Sequence, residues 1–401
     1  MSSSGRREVL RTLAAAAAAE ALAPAGSEAA RTAAVPGVYA RLGVKPIING
    51  MGTVTVVGGS LMPPEVTAAM EEAGRCFVSV PELQEKAGAH LAQLLGVPAA
   101  MVTAGAASAI AVATSVAMTR GDAKKLAQLP DTTGLPFEVV QQKSHRCGYE
   151  PQIRLNGARI VTVETRAELD AALSERTAMM FFLNKAEPDG AIKRDEWVRV
   201  ARERGVVSFN DAAADTPPRE HLASYLTKDG FDLVAFSGGK GLRGPQCSGL
   251  LLGRKDLVDA GRQAISPHAG IGRAMKVGKE EVVGLVAAVE RYLKLDLEAE
   301  SRALDAKVAH LVEVVGRVRG VAVERVVPEI ANHVPTFQAT WDEAALGVTA
   351  RQVDERLQQG DPPIRVLVAA RPGRIQVSVW MMSGDEHRVV ARRLKEALAG
   401  R

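Results

Sequence analysis

The sequence predicts an α/β fold: a large domain on a mixed sheet covered by helices, then a smaller α+β domain. Three observations carry that expectation. Between residues 99 and 252, short runs that are apolar throughout alternate with amphipathic helix patterns; strands apolar on both faces belong to sheets covered on both sides. Beyond residue 320 the strands alternate and two helices interleave with them, the texture of a small antiparallel sheet with helices on one side. The 401 residues are also enough for two separate cores.

Taken in order, residues 1–36 are read as a leader outside the fold. Arg6-Arg7 stands before the weakly apolar run 13–19, which Glu20 interrupts, and a small-residue stretch. This resembles a twin-arginine export signal and implies a periplasmic or exported protein that leaves the cytoplasm already folded; a cytoplasmic protein is the alternative. The stretch 39–52 opens the fold as a short strand, at Pro46, that ends in a Gly-rich turn. Pro63-Pro64 starts a helix at its permitted first positions. A second helix begins at Pro81, carries Leu83, Ala87, Leu91, Leu94 and Leu95 on one face, and stops at Gly96.

Strands are predicted over 99–103, 137–142, 159–163, 178–183, 206–210, 232–236 and 249–252. Helices fall over 105–118 and 194–204, and begin near residues 167, 219 and 255. A glycine-containing loop over 266–278 leads into one long helix over 280–318. Strands over 321–327, 337–341, 364–369 and 374–380 follow, with helices over 349–358 and 385–399. The expected organisation is therefore a large domain over 37–275, a connecting helix over 276–320 and a small domain over 321–401.

Composition narrows the function. Hydrophobic residues make up 47% and charged residues 24%, as in soluble globular proteins. A net charge of +4 with no long basic block speaks against nucleic-acid binding. No run reaches the ~20 apolar residues of a membrane span. Cys76, Cys147 and Cys247 lie far apart without a CxxC pair, so neither a disulfide framework nor a metal site is expected.

The chemistry gathers on Ser237-Gly-Gly-Lys240-Gly-Leu-Arg243, a glycine-rich loop between two apolar strands. Desolvating a lysine disfavours its ammonium, which makes the nucleophilic amine of a Schiff-base lysine accessible near neutral pH. The flanking glycines are expected to let a planar group approach the backbone. Four further features bear on Lys240. Ala106 and Ala107 open a helix whose free N–H groups suit a phosphate. Asp211 ends an apolar strand, where a carboxylate can hold a ring nitrogen protonated. Ser237 can reach the same phosphate, and His145, at another strand end, can stack over a ring. A phosphate site, an acid for a pyridine nitrogen and a lysine for an aldehyde are the binding set of pyridoxal 5'-phosphate.

Ser237-Gly-Gly-Lys-Gly-Leu-Arg-Gly-Pro-Gln246, Phe209-Asn-Asp-Ala-Ala213, His145-Arg-Cys-Gly-Tyr149 and Glu82-Leu-Gln-Glu-Lys-Ala-Gly88, with Thr103-Ala-Gly-Ala-Ala107, carry a resemblance. From about Gly43 to its end the chain resembles the fold-type-I pyridoxal-phosphate enzymes of the selenocysteine synthase (seryl-tRNA selenium transferase) and D-glucosaminate-6-phosphate ammonia-lyase group. The resemblance implies an aminotransferase-like large domain with a mixed seven-stranded sheet and a homodimer or larger homo-oligomer. It implies Lys240 as the aldimine lysine, Asp211 as partner of the ring nitrogen and Ala213 beneath the ring. Ala106, Ala107 and Ser237 become phosphate positions, and His145 the stacking residue. Arg243, Arg374 and His268 are candidates for the substrate.

The selenium transferases read closer to Gly-Asp-Lys-Leu-Leu-Gly-Gly-Pro-Gln and carry an N-terminal tRNA-binding domain. This chain has Gly239 for that Asp, Arg243 for a Gly and only an Ala-rich leader, which favours a small amino substrate over tRNA. The expected reaction is α,β-elimination from an amino acid or amino sugar acid. Transamination, racemisation, seryl-tRNA selenium transfer and cofactor binding without turnover are the alternatives.

Overall fold

Residues 37–400 are described by the computed structural model; the expected twin-arginine leader, residues 1–36, lies outside the described residues. Strand β1 spans Ile48–Gly50. Strands β2 (Ala99–Thr103), β3 (Glu138–Gln142), β4 (Arg159–Val163), β5 (Thr177–Leu183), β6 (Val207–Asp211), β7 (Leu233–Ser237) and β8 (Gly249–Gly253) form a seven-stranded sheet in the order β2-β8-β7-β6-β5-β3-β4. Pairing from β7 through β6, β5 and β3 to β4 is parallel, and β8 runs antiparallel to both β7 and β2. This is the mixed seven-stranded sheet that the sequence led us to expect.

Both faces of the sheet are buried, which is why its strands read as unbroken apolar runs. Along β5, Met180 and Phe182 join one core with Leu91 and Trp197, while Met179 and Phe181 join the other with Ile110 and Val258. Helix Ala106–Thr119 buries every residue except Ala107; a helix apolar on all sides belongs inside. β2 runs in the same direction as the parallel strands, so the carboxyl ends of β2, β5, β6 and β7 share one rim, where ligands of such sheets bind.

The second sheet holds β9 (Val321–Val326), β10 (Thr336–Trp341), β11 (Ile364–Val368) and β12 (Arg374–Ser378), in the order β1-β11-β12-β10-β9. Its core combines Phe337, Ile375 and Val377 with Leu311 and Val315 of helix Leu297–Val315 and Leu394 of helix Glu386–Leu398.

Helices Gly37–Arg41, Ala123–Gln128, Glu150–Arg154 and Glu343–Leu346 were not expected from the sequence, and two expected elements differ. β1, counted by its position with the large domain, belongs to the second sheet and lies parallel to β11, with Ile48 opposite Ile364. The long helix over 280–318 is two helices, Lys279–Lys294 and Leu297–Val315. The break follows from Asp296, whose carboxylate accepts the Ala299 N–H at 2.8 Å and so caps a new helix start.

Candidate functional site

Strand register assembles the site. Thr103, Gly249 and Ser237 lie side by side across β2, β8 and β7. Two residues back along β7, Ala235 pairs with Asp211 of β6, which in turn pairs with Leu183 of β5. A Cβ on Gly249 would stand 2.6 Å from the Gly105 carbonyl carbon and 2.8 Å from the Ala106 nitrogen, so glycine is needed for the helix start to lie over β8. The first bond of that helix runs from Ala109 N–H to Gly105 O, 3.1 Å, leaving the N–H groups of Ala106, Ala107 and Ser108 without intrahelical partners. Ser237 is tied to the same rim, its N–H bonded to Ala213 O at 3.2 Å.

The loop after β7 is compressed. The Ser60 N–H donates to Gly239 O at 3.0 Å, and Arg243 N–H closes back on Lys240 O at 2.9 Å. Side chains at Gly238, Gly239 and Gly241 would collide with Ser248, Gln246 and the Thr216 carbonyl respectively. These glycines therefore serve backbone packing around the lysine.

Lys240 is mostly enclosed, and among the described residues its amine makes no hydrogen bond or ion pair. Burial lowers its pKa below the ordinary lysine range, Asp211 and Asp215 pull it back up, and Lys185 adds to the lowering. Asp211 is 4% exposed and accepts one hydrogen bond, from the Ala213 N–H at 3.1 Å. Burial raises its pKa, opposed by that N–H and by Lys240. Asp211, Ala213, Ser237, Lys240, Ala106 and Ala107 thus share one rim.

His145 is shut in. Its Nδ1 accepts the Leu183 N–H at 3.1 Å, its Nε2 lies 3.2 Å from Gln142 Nε2, and a backbone hydrogen bond at Ala186 works to raise its pKa. Phe182 meets it edge-on at 4.5 Å, and the residue has no exposed surface. Burial brings its pKa down to about 4, so the ring is neutral. The stacking expected of His145 therefore meets a ring without an open face.

Arg243 holds a left-handed backbone (φ 57°) and donates from Nε to Leu61 O at 2.9 Å. Arg374 opens β12 opposite Thr340, and His268 lines a cleft of about 890 Å³ with Glu82, Gln84 and Arg262. Among the described residues no hydrogen bond or ion pair joins either of them to Lys240.

A buried polar group behind Lys240 was not foreseen. Asp215 is 1% exposed, and its Oδ1 has no hydrogen-bond partner among the described residues. Asn184 Nδ2 donates to the Tyr225 hydroxyl at 2.9 Å, Asn210 Nδ2 to Asn184 Oδ1 at 3.3 Å, and Arg194 lies 5.1 Å from the Tyr225 ring centroid. Spacing gives only one hint of it: Asp215 follows Asp211 across three alanines.

Comparison with known proteins sets this rim in context. The family L-seryl-tRNA selenium transferase matches residues 190–338. D-glucosaminate-6-phosphate ammonia lyase of Salmonella typhimurium is 30% identical, over 90% of this chain and 98% of that protein. The solved structure of a D-glucosaminate-6-phosphate ammonia-lyase superposes with a TM-score of 0.77 at 30% identity, covering 91% of this chain and 99% of that one. The chain belongs to the fold-type-I pyridoxal-phosphate enzymes of this group. A second relative, the 5'-C-glycyluridine monooxygenase-decarboxylase of Streptomyces sp, is 32% identical over 90% of this chain and 92% of its own length.

The residues present fit the cofactor of this family. Asp211 is a deeply buried carboxyl whose one hydrogen bond comes from a backbone N–H, leaving capacity to accept from a protonated ring nitrogen. The free N–H groups at 106–108 could hold a phosphate, and the Lys240 amine is not committed to any other side chain.

Proposed function

We propose that this chain is a pyridoxal-phosphate-dependent lyase that removes the α-proton of an amino acid or amino sugar acid, expels a β-substituent, and yields a 2-oxo acid and ammonia. The observation that carries it is the Lys240 amine, enclosed and unpaired, at the rim where Asp211 and Ser237 end their strands. The relative named an ammonia lyase, matched over nearly its whole length, supports the reaction class.

In this reading Ala106, Ala107 and Ser237 hold the phosphate, Asp211 keeps a proton on the ring nitrogen, and Ala213 lies beneath the ring. The cofactor, when bound, supplies an electron sink for the carbanion at the substrate α-carbon. Lys240 is the base: its neutral amine is accessible because burial disfavours the ammonium, and it takes the α-proton. Arg243, steadied by the Leu61 carbonyl, offers its remaining guanidinium donors to an anionic group of the substrate. His145 acts as a spacer, fixing the end of β5 through the Leu183 N–H.

The direct test is a screen of amino acids and amino sugar acids that follows 2-oxo acid and ammonia. A substrate that releases both with the wild-type chain and neither with Lys240→Ala supports the reading; equal release by the variant contradicts it. The Streptomyces relative favours a second reading, oxygen-dependent decarboxylation, which the same screen separates by oxygen uptake and carbon dioxide. The leader reading is part of the proposal too: replacing Arg6 and Arg7 by lysines should keep the chain in the cytoplasm. A homodimer or larger assembly is likewise proposed, with light scattering as its check.

A further inference from the structure

The loop that follows β6 carries a second buried carboxyl, and its surroundings come from both sheets. Asp215 lies one turn beyond Asp211, its N–H bonded to Ala212 O at 3.0 Å. On the large-sheet side its carboxyl faces Asn184, Asp211 and Lys240, and its charge reaches the Tyr225 hydroxyl. His221 Nδ1 lies 3.0 Å from the Asp215 backbone carbonyl, and Arg194 flanks both His221 and Tyr225. On the other side stands the backbone N–H of Ala331, from the loop that leads into β10. With Oδ1 unpartnered, the carboxyl is poised between these groups without being fully satisfied.

The loop before β10 is itself held under strain. Ala331 (φ 61°) and Asn332 (φ 49°) are consecutive left-handed residues, and neither is glycine. Such backbone persists only where neighbours hold it. Here the Asn332 N–H donates to Ala214 O at 2.7 Å, and Thr53 Oγ1 donates to Asn332 Oδ1 at 3.1 Å. The clamp closes one residue before Asp215.

We propose that Asp215 is a positioning residue, a proton-holding carboxyl that couples the charge on the Lys240 amine to the seating of the loop over 328–334. The chemistry is one of shared charge. One enclosed ammonium cannot balance two buried carboxylates, so on the acid side of neutral pH one of the pair keeps a proton. A protonated Lys240 favours loss of that proton from Asp215 as the pH rises; the ionised carboxyl draws the Ala331 N–H into a charge-assisted bond and in turn holds the charge on the Lys240 amine. Burial raises Asp215 to about 7, with Asn184, Ala331 and Lys240 opposing and Asp211 adding to the rise, which puts the exchange near neutral pH.

The coupling rests on the reading of Lys240 as the working amine, yet it is measured on the cofactor-free chain, so it can fail or succeed independently of the reaction. Hydrogen exchange at the amides of residues 329–334 is followed from pH 5.5 to 8.5 and corrected for intrinsic rates. Carbamoylation of Lys240 by cyanate, read by mass spectrometry, gives the pKa of its amine. In the wild type, protection at residues 331–332 should rise about tenfold through neutral pH, the step from a neutral to a charge-assisted bond. In Asp215→Asn the step should vanish and the Lys240 pKa should fall by about one unit. Thr53→Val loosens the clamp without touching either carboxyl and should move Lys240 the same way by less. If Asp215→Asn does not fold, the wild-type step and Thr53→Val decide. A flat wild-type profile, a step surviving in Asp215→Asn, or a loosened loop with unchanged Lys240 titration would overturn the proposal.

Discussion

At the amino end of the seven-stranded sheet Glu138 is 1% exposed, and the guanidinium groups of Arg159 and Arg176 both reach its Oε1. At the carboxyl end Asp211 and Asp215 are buried almost as deeply, and among the described residues neither is bonded to an arginine or lysine. Burial pushes the Glu138 pKa up, but the two arginines outweigh it and the net shift is downward. At the other rim burial prevails, and both aspartates are raised. A fold satisfies the charges that only support it; buried charges left short of partners mark where a ligand is to be met. Glu150 repeats the supporting pattern beside the site. Arg146 brings its pKa down to about 2 against burial, with help from Arg154 and Gln141, and this secures the turn that follows His145.

The sharpest way to break this comparison is to exchange the two kinds of residue. Lys240→Ala should lower kcat by about 10²–10⁴-fold, and Asp211→Asn by at least ~10²-fold, both with unfolding midpoints near wild type. Steady-state kinetics beside thermal melts check this. Glu138→Gln should do the opposite. It should leave kcat near wild type and cost about 1–3 kcal/mol of stability, since the two freed arginines are more than half exposed and can rehydrate.

The pH dependence should separate the two rims by sign. Glu138 is depressed in the folded state, so its contribution is present above the unfolded carboxylate range and is lost as pH falls through the lower folded value. Asp215 is raised, so the folded chain binds the extra proton and stability declines as pH climbs from about 4 to about 7. Melting curves of Asp215→Asn should lack that decline; a variant that still shows it would place the titration elsewhere. Two smaller effects calibrate the scale. Gly241→Ala forces a Cβ against the Thr216 carbonyl and should cost about 1–3 kcal/mol together with weakened cofactor retention in equilibrium dialysis. Asp296→Ala removes a helix cap and should cost ~1 kcal/mol, with a far smaller change in kcat than Lys240→Ala or Asp211→Asn.

The division between what the sequence discloses and what it hides follows the same physics. Strands buried on both faces, such as Thr177–Leu183, disclose themselves as apolar runs, and Lys240, Asp211 and Ser237 stand at the ends of such runs. β1 was legible as a short strand but its partner was not, because its pairing with β11 spans more than 300 positions. The long helix hid its break because Asp296 is an ordinary polar residue until its cap forms. Asp215 and Asn184 stayed hidden because their importance lies in burial and missing partners, which spacing does not encode. His145 was legible as a strand-end histidine, while its enclosure by Leu183 and Phe182 is a product of packing.

The central claim is that Lys240 carries the cofactor. Loading the chain with pyridoxal phosphate, reducing it with borohydride and mapping the modified peptide tests this most directly. The account predicts one phosphopyridoxyl group per chain, on Lys240, and none on the Lys240→Ala variant. A label on another lysine, or equal labelling of the variant, would contradict it.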